Sequence, residues 1–119
     1  MKFMMIVKSA ERFGHPPKEL MDAIDKLSEE ANKTGSMIGG GGLGPTALGA
    51  RVRLSNGKVT IIDGPFTEAK ELVGGLAILQ ANSKEEALEL VREFLNTAGD
   101  GECELRQLYQ AEGNPPPHA

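Results

Sequence analysis

A chain of 119 residues is one ordinary domain, long enough to build a core without disulfide or metal staples. Thirteen basic residues against seventeen acidic ones give a net charge of −4, and the basic residues are scattered with no aromatic-lined stripe, which argues against a nucleic-acid partner. Cys103 is alone and the two histidines, His15 and His118, sit near opposite ends, so neither a disulfide framework nor a metal site within one subunit is expected.

The first element is a strand over residues 2–8, with Phe3, Met5 and Val7 on one face and Met4 and Ile6 on the other. This apolar run is shorter than the roughly 7–15 residues of a signal-peptide core and far short of a membrane span, so a cytoplasmic location with no membrane partner is expected. Leu20, Ile24, Leu27 and Ala31 then recur at helical spacing, between Pro17 in the first turn and Gly35 as the stop. Met37 and Ile38 begin a short strand that is expected to dissolve into the glycines at 39–42. Ala50–Leu54, Asn56-Gly57 and Lys58–Ile62 read as a hairpin, because Asn-Gly between alternating segments favours the tight turn that twisted strands need. A helical turn is expected near residues 67–71 and a buried strand over Gly75–Ala81. Ser83-Lys84-Glu85-Glu86 is a capping box that opens a second helix, whose buried stripe is Ala87, Leu88, Val91, Phe94 and Leu95. Cys103–Tyr109 makes the last strand, closing a domain of residues 1–110. Residues 111–119, with Pro115-Pro116-Pro117, read as a disordered tail.

With the hairpin set aside, the order is strand, helix, strand, strand, helix, strand. That is an α+β, ferredoxin-like (βαββαβ) arrangement carrying an inserted β-hairpin. Two helices cover one face of such a sheet, yet the first strand and the Leu76–Ala81 strand are apolar on both. An uncovered apolar sheet face is normally buried by a partner, and a two-fold homodimer, sheet against sheet, is the economical solution.

The chemistry concentrates where the hairpin ends. Gly64 permits a backbone path that a β-carbon would forbid, and Pro65 removes an amide donor, so the strand ends with a carboxylate, Asp63, at its tip. Glu68, Lys70 and Glu71 follow closely. Asp63, Lys70 and Glu68 are the candidate acid–base residues, since a carboxylate screened from water exchanges protons nearer neutral pH while a nearby lysine opposes that shift. Gly40, Gly41, Leu43, Phe66 and Glu71 are the candidate ligand-binding residues, the glycines because absent side chains allow close approach. The alternative is structural: Asp63 caps a turn, and Glu68, Lys70 and Glu71 pair with Arg51 or Arg53 across a dimer. The glycine run lacks the Lys-Ser/Thr of a phosphate-binding loop, and no helix pattern opens directly after it.

The string Asp-Gly-Pro-Phe-x-Glu-x-Lys-Glu-x-x-Gly-Gly, Asp63 to Gly75, resembles the signature of the DGPF group within the YCII-related proteins. Met1–Val7, the segment Gly39–Leu43 with Pro45, and Glu104-Leu105-Arg106 are similar to the family's first strand, glycine-rich segment and last strand. The resemblance implies a dimeric α+β barrel built around facing sheets. Other YCII-type proteins carry a histidine on the first helix that pairs with an acid. No histidine lies between Pro16 and Gly35, so a His/Asp mechanism is not carried over. Two functions remain open: a small-molecule enzyme doing acid/base chemistry without a cofactor near the Asp63–Phe66 turn, or a non-catalytic ligand-binding or regulatory module associated with transcription.

Overall fold

Alternation along the first strand divides the molecule into a helix side and an open side. A computed structural model describes residues 1–9, 17–66 and 72–109. Strand β1 (Lys2–Ser9) is central, and helix α1 (Lys18–Thr34) follows it. Next come β2 (Met37–Gly42), a 3-10 turn at Thr46–Leu48, and the hairpin strands β3 (Ala50–Ser55) and β4 (Lys58–Asp63). Strand β5 (Leu72–Gln80), helix α2 (Lys84–Ala98) and β6 (Glu102–Gln107) complete the fold. The larger sheet is antiparallel with strand order β2-β5-β1-β6; β3 and β4 form a separate two-stranded sheet.

Met5 stands opposite both Ala77 and Leu105. Because alternate residues share a face, Phe3, Met5, Ala77 and Leu79 point to the same side. There they form the core with Ala81, Ala87 and Val91, and Val7, Met37, Phe94, Leu95, Cys103 and Leu105 pack around it. Helix α2 supplies Ala87 and Val91, while α1 lies against α2 and β2 with its apolar stripe half-buried. Leu88, expected in the buried stripe of α2, is 42% exposed, and Leu90 packs on the core instead. The helix is turned so that Ala87 is fully buried in the core.

Both helices stop and start as their termini dictate. Gly35 takes the left-handed conformation at φ 81° that ends α1, and the Glu86 amide donates to the Ser83 hydroxyl at 3.1 Å to start α2. The Glu86 carboxylate is turned to the Asn82 amide at 3.4 Å. Ser83→Ala is expected to cost about 1 kcal/mol, read as a lower melting temperature with an unchanged fold, because one orphan amide of the first turn loses its acceptor.

One element departs from expectation. Strand β2 does not dissolve at the glycines; Gly40, Gly41 and Gly42 pair with Ala77, Leu76 and Gly75. Gly40 has φ 135°, and a β-carbon there would fall on the Leu76 carbonyl and 2.6 Å from the Ala77 Cα. Glycine is what lets β2 bend past the irregularity between Met37 and Gly39 and still pair. Among the described residues, no helix is long and apolar enough to cross a membrane.

Candidate functional site

The hairpin forms as its sequence dictates. Asn56 and Gly57 take φ 50° and 78°, the two positive values that a tight turn between twisted strands requires. The register runs from Ser55 opposite Lys58 to Ala50 opposite Asp63 without a bulge. Alternation therefore places Val52, Leu54, Val59, Ile61, Ala50 and Asp63 on one face, and Arg51, Arg53, Thr60 and Ile62 on the other. Every residue of both strands is exposed. The apolar residues of the first face are uncovered to an unusual degree: Val52 68%, Leu54 71%, Val59 58% and Ile61 65%.

Beyond β4 the chain turns sharply, and the Gly64–Pro65 peptide is cis. The turn is held by the segment just past the glycine run. The Gly64 amide donates to the Gly49 carbonyl at 2.9 Å, and the Phe66 amide donates to the Thr46 hydroxyl at 3.2 Å. A β-carbon on Gly64 would fall on the Thr46 carbonyl. Gly64 is thus a matter of space, since it lies outside the residues with left-handed φ. Phe66 is half-buried, with the Arg51 guanidinium 4.1 Å above its ring centroid, a cation–π geometry. Arg51 belongs to the face opposite Asp63, so the ring packs beneath the basic face of the hairpin.

Asp63 is exposed at the tip of β4. Gly41 is paired in the sheet opposite Leu76, with nothing within 4 Å of the position a β-carbon would take. Leu43 donates its amide to the Gly74 carbonyl at 3.0 Å and is 52% exposed. Glu68, Lys70 and Glu71, together with His15, the expected helical turn at 67–71 and the tail at 111–119, lie outside the described residues. Thr46 and Arg51 carry more of the turn than the sequence suggested. Pro45 before Thr46 was the available signal for Thr46, because proline followed by a polar residue commonly opens a turn.

Other chemistry-bearing groups are committed elsewhere. Burial pushes the Cys103 thiol up, and the charge of Glu102 acts in the same direction, so the thiol is held protonated rather than activated. Lys8 is raised by its bonds to Glu104 and Glu102, at 3.1 and 3.4 Å, and Glu104 also meets Arg106 at 3.6 Å. Two shallow concavities, about 470 and 190 Å³, lie on the helix layer beside Glu93 and Leu90, away from the Asp63 turn.

A family model for the YCII-related domain matches residues 1–111. The chain belongs to the YCII-related family. It is also 34% identical over 89 residues to an uncharacterised protein of Rhizobium meliloti (strain 1021), an alignment covering 74% of this chain and 69% of that protein. The family match spans both sheets and both helices, so the Asp63 turn and its Thr46 buttress are parts of a YCII-related domain.

Proposed function

We propose that this YCII-related chain is a homodimeric small-molecule enzyme performing proton-transfer chemistry at the Asp63–Phe66 turn. The observation that carries the reading is the way the turn is braced. Its amides are tied to Gly49 and Thr46, Gly64 has no spare room, and the result is a carboxylate presented at a fixed strand tip. A braced carboxylate is a suitable general base once water is screened from it. Asp63 takes the substrate proton, and Lys70 and Glu68, close in sequence, supply the counter-charge and the return path for that proton. Such a reaction needs no cofactor.

The strand order β2-β5-β1-β6 with the hairpin set aside supports a ferredoxin-like arrangement. Met4, Ile6, Leu76 and Ile78, half-buried on the side away from the core, support pairing of two sheets face to face. Together these support a dimer of α+β barrel type, and a cytoplasmic location is part of the same proposal. The exposure of Asp63 within one subunit favours a second reading, a non-catalytic ligand-binding or regulatory module, unless the dimer covers that carboxylate.

The two readings separate on Asp63→Asn and Asp63→Ala, assayed by native mass spectrometry against a panel of polar metabolites and by thermal melting. Asn is nearly isosteric and still accepts a turn hydrogen bond. Asp63→Asn is therefore expected to leave stability within about 0.5 kcal/mol of the parent while eliminating turnover of any captured metabolite. If Asp63→Asn binds and turns over like the parent while Asp63→Ala melts early, Asp63 is a structural cap and the site is wrong.

A further inference from the structure

We draw no further inference here: the strongest candidate, the exposed apolar strip of Val52, Leu54, Val59 and Ile61 on one face of the β3–β4 hairpin, carries nothing because nothing in the structure shows what covers it.

Discussion

Gly64→Ala is expected to destabilise the protein by about 3 kcal/mol, since forcing atoms into a filled site typically costs 1–3 kcal/mol and here the obstacle is backbone. The added β-carbon lands on the Thr46 carbonyl. Thr46 cannot simply withdraw, because its hydroxyl accepts from the Phe66 amide and its carbonyl accepts from the Gly49 amide, whose own carbonyl accepts from Gly64. Relief therefore requires the turn and the 3-10 segment to part, which breaks these bonds together and releases Phe66 from beneath Arg51. For a chain of this size the loss corresponds to a fall in melting temperature of about 10 °C. Gly41→Ala is the control. Nothing stands within 4 Å of its β-carbon position, and a change within about 0.5 kcal/mol is expected. Equal melting of parent and Gly64→Ala would show that the two segments are not in contact, and that the turn is not braced.

Phe3→Ala is expected to cost about 3–5 kcal/mol, the largest effect of any single truncation proposed for this chain. Phe3 is only 2% exposed and lies in the core formed by the central strand, β5 and α2. Its loss removes apolar transfer energy and leaves a cavity that Leu79 and Val91, held by the sheet and helix backbones, cannot fill. Set against a total stability of about 5–15 kcal/mol, this brings the chain close to unfolding. Urea denaturation reads it as a lower midpoint with an unchanged slope, since the exposed surface of the unfolded chain hardly changes. Met4 is next in sequence on the opposite face, half-buried and outside the core. In the proposed face-to-face dimer, Met4→Ala is expected to act mainly on dissociation, so its cost depends on protein concentration and that of Phe3→Ala persists at every concentration. Equal, concentration-independent losses at the two positions would remove the distinction between a helix face and an open face.

The local signals in the sequence were strong where one or two residues decide a backbone conformation. Asn56-Gly57 fixed the hairpin turn, Gly35 ended the first helix and Ser83 began the second, because each acts through bonds and dihedrals within a few residues of itself. Alternation through Phe3, Met4 and Met5 likewise assigned the two faces of the central strand. Resemblance at Asp63–Gly75 pointed to the YCII-related family, which the match over residues 1–111 establishes. Long-range approach was not legible. That Gly40 must be glycine to pass Leu76 and Ala77, that Gly64 rests on Thr46, and that Arg51 covers Phe66 all depend on segments distant in sequence arriving at one place. The rotation of α2 that exposes Leu88 is of the same kind, since periodicity marks an apolar stripe but packing selects which edge of it meets the sheet. The sequence by itself thus determined both helices, the hairpin, the central strands and the family, through interactions among near neighbours. Only the tertiary structure decided which surfaces stay uncovered, the hairpin's apolar face and the open side of the larger sheet, because burial is a property of where the rest of the chain is.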